Sequence, residues 1–192
     1  MRNILKNRKA LSTVVTTLII LVVSVLLAGV VTYFAINVTS TRVQQESLNL
    51  MYQHLWFDTT SGTGAEAAIM IVNTGGRDVV LNNIAVRGQA VSWGNVFYNI
   101  SSKAITGDLT YNATLFTTTS GKANSTVVGL NTYILNTNPT NSLTLASGST
   151  MLIYVVNPDS ISVNDIGLTI AISVFTAQAT YYKETNVESA LP

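Results

Sequence analysis

Between Lys9 and Arg42 the chain carries no charged residue, and four basic residues, Arg2, Lys6, Arg8 and Lys9, stand directly in front of that run. Its centre, Leu18 to Val38, reads LIILVVSVLLAGVVTYFAINV, and only Ser24, Gly29, Thr32 and Asn37 leave the apolar set. At about 1.5 Å per residue, a helix of this length crosses a hydrocarbon core of about 30 Å. Four cations on the N-terminal side and none within the helix favour a cytoplasmic N-terminus and place everything after Arg42 outside the cell. A helix that is apolar all round must be covered on every side, by lipid or by protein. Two readings stand at this point: a single-span anchor carrying an outer domain, and a helix destined for a protein core.

The junction Lys9-Ala10-Leu11-Ser12 bears on the choice. A secretory signal peptide is cut after its short apolar region and loses it. Here a basic, small-residue pair stands before the apolar part. The arrangement resembles the class III leader of archaeal type IV pilins and archaellins, which a dedicated membrane peptidase removes. That resemblance implies cleavage at Lys9, Ala10 and Leu11, with 1–10 discarded and the mature protein beginning at Leu11. It further implies a precursor held in the membrane, and a prepilin peptidase, an assembly ATPase and a membrane platform as partners. The mature helix then packs against copies of itself in a helical homopolymer. Bacterial pilins usually carry a glutamate at the fifth mature position. The residue here is Val15, which fits the archaeal members better and leaves register to shape. At about 100° per residue, Thr13, Thr17, Ser24 and Ala28 share one narrow arc, a candidate face for close helix packing.

The 192-residue chain leaves one outer domain of ordinary size beyond the helix. It has no cysteine, so that domain relies on packing or on neighbours rather than disulfides. All nine acidic residues lie after Arg42, and removal of 1–10 leaves six Lys and Arg, a formal charge of −3. Such a balance argues against a nucleic-acid partner.

The stretch Thr41–Phe57, TRVQQESLNLMYQHLWF, offers Val43, Leu48, Met51 and Leu55 to one helical face, so the helix is expected to run over 11–57. Asp58 to Gly64, DTTSGTG, reads as a hinge. From Ala65 onward, short β-rich runs alternate with Gly, Asn and Pro. The expected fold class is therefore α+β: a long N-terminal hydrophobic α-helix followed by an antiparallel Ig-like β-sandwich over 65–192. Asn73-Thr74-Gly75-Gly76-Arg77-Asp78 reads as a hairpin, the glycines supplying positive φ. This pattern resembles a strand pair of archaeal pilin-like outer domains. Leu143–Leu152 reads as a second hairpin bent at Gly148. Ile166–Phe175, nearly all apolar, is expected to be a central strand buried on both faces. Gly94–Asn124, rich in Asn, Ser and Thr, reads as edge strands or outward loops.

Asn37, Asn99, Asn112 and Asn124 begin glycosylation sequons. Asn99, Asn112 and Asn124 form the cluster expected on exposed loops, whereas a filament would bury Asn37. The parts for catalysis are few. His54, the one histidine, has Asp58 four residues on, which a helix would place on the same face. No nucleophile-elbow pattern accompanies them, and neither a metal-ligand cluster nor a phosphate-binding glycine loop is present, so no enzyme, cofactor or metal is expected. Tyr52, Trp56 and Phe57 are expected to plug a helix–sheet junction, and Trp93, Phe97 and Tyr98 to be core by default.

The functional expectation is a structural subunit of an archaeal type IV-like filament, for adhesion to surfaces or other cells rather than swimming. An archaellin, a minor priming pilin, and a membrane-tethered binding or surface-layer module are the alternatives.

Overall fold

In the computed structural model, residues 8–59, 64–117, 124–137 and 141–190 are described. The chain divides into two compact units, 1–43 and 44–192. The first holds one helix, α1 (Arg8–Val43). The second is β-rich: β1 (Leu48–Asp58), β2 (Ala65–Asn73), β3 (Val79–Val86), β4 (Gln89–Ala90), β5 (Val96–Ser101), β6 (Asn124–Val128), β7 (Asn131–Thr137), β8 (Leu143–Leu145), β9 (Thr150–Val156), β10 (Thr169–Thr176) and β11 (Thr180–Ala190). The α+β architecture, a long apolar helix followed by a mostly antiparallel sandwich, is as expected.

The boundary between the units is not. The helix ends at Val43, and Leu48–Asp58 is a strand rather than a continuation to Phe57. A β-bulge explains the misreading. Register between β1 and β2 shifts between Met51 and His54, and Tyr52 adopts a φ of 51° there. One inserted residue moves the buried positions from Leu48 and Leu50 to Leu55, so a strand of period two imitates the spacing of a helix. The expected hinge at 58–64 instead joins neighbouring strands, Asp58 N–H donating to the Gly64 carbonyl at 3.0 Å. Residues 60–63 of it lie outside the described residues. The sandwich therefore begins at β1, not at Ala65.

Strand order is β4-β3-β10-β11-β1-β2-β9-β5-β7-β6, with β8 also on β3. Strand β11 serves two sheets: its first part pairs antiparallel with β10, and Val187–Ala190 pairs parallel with Leu55–Asp58 of β1. A strand that changes partner in this way makes a sandwich corner. One core lies between the sheets, where Leu55, Ile69, Ile71 and Ile153 meet Leu81, Ile84, Ile172 and Val174. A second lies on the other face of β2 and β9. There Met70, Leu152 and Tyr154 are covered by Ile105, Leu109 and Leu115, and by Val128 and Leu135 of β6 and β7.

This second core makes β9 the strand buried on both faces, every residue from Thr150 to Val156 being buried. Strand β10 was expected in that role, but it alternates: Ile170, Ile172 and Val174 are buried while Phe175 and Leu168 reach the surface. Its sheet has a core on one side only. Ile105, Leu109 and Leu115, from the region 94–124 expected at the outside, supply part of the cover instead, residues 118–123 lying outside the described residues.

Neither expected hairpin forms. Strand β2 pairs with β1 and β9, whereas β3 pairs with β10, β4 and β8; likewise β8 pairs with β3 and β9 with β2 and β5. Both loops are crossings between the sheets, and they fasten to each other. Buried Asn73 donates from Nδ2 to the Arg77 and Leu145 carbonyls at 2.8 and 3.0 Å, and its Oδ1 accepts from Gly75 N–H at 3.0 Å. Ser147 N–H donates to Asp78 Oδ1 at 3.0 Å, and Ser147 Oγ to the Gly75 carbonyl at 2.6 Å. Gly75 does not take a positive φ. It is required by contact: a Cβ there would lie 2.8 Å from both Gln45 O and Ser47 N. Gly75→Ala is therefore expected to destabilise the β unit by about 1–3 kcal/mol, read as a lower denaturation midpoint at unchanged slope.

Candidate assembly interface

Helix α1 is long because nothing in it interrupts the backbone ladder: from Arg8 to Val43 there is no proline and one glycine. Its 36 residues make a rod of about 54 Å, well beyond the hydrocarbon thickness of about 30 Å. Every side chain from Leu11 to Thr41 is exposed, and the large apolar ones, such as Leu18 at 60%, Leu26 at 64% and Ile36 at 64%, cover all sides. Leu11–Thr41 is the one described segment long and apolar enough to cross a membrane.

The polar side chains within it do not break this character. The hydroxyls of Thr16, Thr17, Thr32 and Thr41 donate to the carbonyls of Ser12, Val14, Ala28 and Asn37 at 2.7 to 2.9 Å. Ser24 donates to Ile20 and Leu21 carbonyls in the same manner. These bonds let the rod enter a dry environment without stranding a donor. Thr13, Thr17, Ser24 and Ala28 are all exposed in the isolated chain. Gly29, which lies off the arc of Thr13, Thr17, Ser24 and Ala28, has nothing within 4 Å of where a Cβ would stand. A mid-helix glycine costs about 1 kcal/mol relative to alanine, and no contact within the chain requires this one. Small residues of this kind permit close approach by another helix. Of the expected leader 1–10, residues 1–7 lie outside the described residues, while the backbone at Lys9, Ala10 and Leu11 is helical.

The remaining candidates lie in the β unit. Asn99 is half-buried and donates from Nδ2 to the Ile134 carbonyl at 2.7 Å. Asn112 donates from Nδ2 to the Ser125 carbonyl at 2.9 Å, and its Oδ1 accepts from the Thr114 hydroxyl at 2.6 Å. Asn124 is only 7% exposed, so the expectation of an exposed loop fails there because it opens strand β6, paired with buried Leu135 of β7. His54 does not meet Asp58: the two stand four apart along a strand, and His54 Nε2 lies 2.8 Å from Asp108 Oδ1 instead. Its ring stacks on Trp56 at 5.0 Å between centroids. Trp56 belongs to the second core, Phe57 packs against the first, and Tyr52 sits exposed at the bulge. They do not plug a helix–sheet junction, because β1 is itself part of the sheet. Phe97 is buried in the second core, with Trp93 and Tyr98 against the first.

Two carboxyls are set apart by their surroundings. Glu66 is fully buried, and burial pushes its acid up to about 8, the Asn112 N–H at 3.0 Å pulling the other way. Asp165 is held below the ordinary carboxylate range, first by the Ser162 N–H and hydroxyl and then by Arg87, whose Nη1 lies 2.8 Å away. Among the described residues no group of three or more His, Asp or Glu side chains is placed to hold a metal ion. Set beside known proteins, the chain matches no family model and no curated relative.

Proposed function

We propose that the chain is a structural subunit of an archaeal type IV-like extracellular filament, made as a membrane-held precursor and polymerised through α1, with adhesion as its role. The observation that carries this reading is the rod itself. Its span Leu11–Thr41 is apolar on every side, exposed along its length and about half as long again as the bilayer core is thick. The β unit meanwhile closes two cores from its own residues. Neighbouring rods would cover the whole apolar surface, at about 25 cal/mol per Å² removed from contact with water. The resemblance of Lys9-Ala10-Leu11 to a class III leader supplies the order of events, cleavage first and assembly after.

A membrane-tethered outer module is the second reading, and one observation favours it. Leu18–Val38 alone, about 31 Å long as a helix, matches the hydrocarbon thickness. Edman or mass-spectrometric analysis of filaments sheared from cells separates the two. The filament reading expects chains that begin at Leu11. Recovery only from detergent-extracted membranes, with residues 1–10 still attached, overturns it. Swimming and attachment assays on a deletion strain then distinguish an archaellin from an adhesive subunit.

A further inference from the structure

Glu66, the most deeply buried acidic side chain among the described residues, lies on one face of the β1–β2 pair, beneath the segment 102–117. His54, Trp56 and Asp58 follow one another along that face of β1, and Glu66 stands directly across from Trp56 on β2. Diagonal neighbours on one face of an antiparallel pair are about 7–8 Å apart, so Asp58 and Glu66 share one dry neighbourhood. The segment above them is irregular apart from a short 3-10 turn at Ala113–Thr117. Three polar contacts fasten it to β1 and β2, in addition to those it makes with β6 and β9. Asp108 Oδ1 meets His54 Nε2 at 2.8 Å, the Tyr111 hydroxyl donates to Asp58 Oδ2 at 3.2 Å, and the Asn112 N–H donates to Glu66 Oε1 at 3.0 Å. The Tyr111 ring also stands edge-on to Trp56, 6.1 Å between centroids.

Glu66 receives little support as an anion. Its Oε2 is buried without a hydrogen bond. The titratable groups on its face are His54 and Asp58 from β1, Tyr154 from β9 and Tyr111 from the segment itself, with Asp108 bonded to His54; among the described residues no Lys, Arg or His side chain pairs with it. A neutral acid tolerates such a place with one hydrogen bond. A carboxylate does not, because desolvation opposes the charge and one backbone N–H is all that offsets it. Strand β2 cannot move to relieve it, being laddered to β1 on one side and β9 on the other. The overlying segment can, since its own hold is largely by side chains.

We propose that segment 102–117 is a proton-controlled cover, shut over the second core while Glu66 carries a proton and lifted when Glu66 loses it. Lifting brings water to the carboxylate and uncovers Trp56, Met70 and Tyr154. Burial sets the change in the mildly alkaline range, near the value of about 8 at which Glu66 ionises.

Amide hydrogen exchange on the full chain in detergent micelles tests this, with rates corrected for base catalysis. Between about pH 6 and pH 9, protection over 105–115 is expected to fall about tenfold or more, while β2 and β9 keep theirs. Glu66→Gln should hold the cover shut at both values. Unchanged protection in the wild type, or an equal loss in Glu66→Gln, overturns the proposal. Should Glu66→Gln fail to fold, the carboxyl carbon of Glu66 in the wild type is titrated by NMR. A midpoint near 8 that coincides with a change at Trp56 supports a proton-driven cover, and a midpoint in the ordinary carboxylate range overturns it.

Discussion

Under the proposed assembly through α1, Leu26→Lys should abolish incorporation of the chain into filaments while leaving the β unit folded. Leu26 stands at the middle of the apolar span Leu11–Thr41 and is 64% exposed in the isolated chain. A lysine at the centre of a membrane helix costs about 3 kcal/mol, and an unpaired charge in a dry protein core costs at least as much. No acidic residue occurs between Lys9 and Arg42 to pair with it, in the same chain or in any copy. In a polymer the penalty recurs at every subunit, so a modest cost per chain becomes a loss of the assembly. Sheared filaments should contain none of the variant, and the β unit of the detergent-solubilised chain should unfold at the wild-type midpoint. Filaments built from the variant at normal yield would mean that position 26 does not lie in a dry core. Leu26→Met, which keeps volume and polarity, serves as the control and should assemble.

Helix α1 was legible because its signal is local: an unbroken apolar run between charged ends needs no partner to be recognised. The sandwich was legible in kind from β-branched runs and turn residues, but its connections were not. Asn73–Asp78 and Ala146–Ser149 carry the residues of tight turns, and turns they are. Whether the strands on either side pair with each other is decided by distant segments, and here Asn73 bonds to Leu145 and Asp78 to Ser147 across the corner. The bulge at Tyr52 hid β1 for a related reason. Its inserted residue changes the period, and only the ladders to β2 and β11 reveal the strand. Asp108 as the partner of His54, and Asn112 as the partner of Glu66, were beyond reach. Those contacts cross 54 and 46 residues of chain, and the intervening segment has no periodicity to place it.

The strand that carries no surface at all, β9, explains why so few charges suffice for the fold. With a core on each face, Met151, Ile153 and Val155 pack toward one sheet while Leu152, Tyr154 and Val156 pack toward the cover. Tyr154 is the one aromatic hydroxyl in that strand. It accepts from the Thr126 hydroxyl at 3.0 Å and donates to the Thr110 carbonyl at 3.3 Å, tying β6 and the cover to β9. Stability is thus concentrated in apolar layers, and the few buried acids set how it varies with pH.

Stability of the β unit should accordingly fall as pH rises from about 5 to 9, the reverse of the usual effect of a paired carboxylate. Glu66 has an ordinary value of 4.5 in the unfolded chain and about 8 in the fold. Between those values the unfolded chain has released the proton while the folded chain retains it. Unfolding therefore releases a proton, and stability declines by at most about 1.4 kcal/mol per pH unit. Glu66's contribution is intact below the unfolded value and is lost as pH rises toward the folded one. Asp165 acts at the other end: its value is depressed, so the stability it confers is present above the ordinary carboxylate range and disappears as pH falls through its folded value. The optimum should lie in mildly acidic solution, between the two. Urea unfolding of the full chain in micelles, followed through Trp56 in a Trp93→Phe background, measures the slope at about pH 5, 7 and 9. Glu66→Gln should flatten it and gain on the order of 3 kcal/mol at the alkaline end, because an amide carries no charge to bury. A wild-type profile that is flat or rising across this range, or a Glu66→Gln profile as steep as the wild type, would show that the carboxyl does not hold its proton inside the second core.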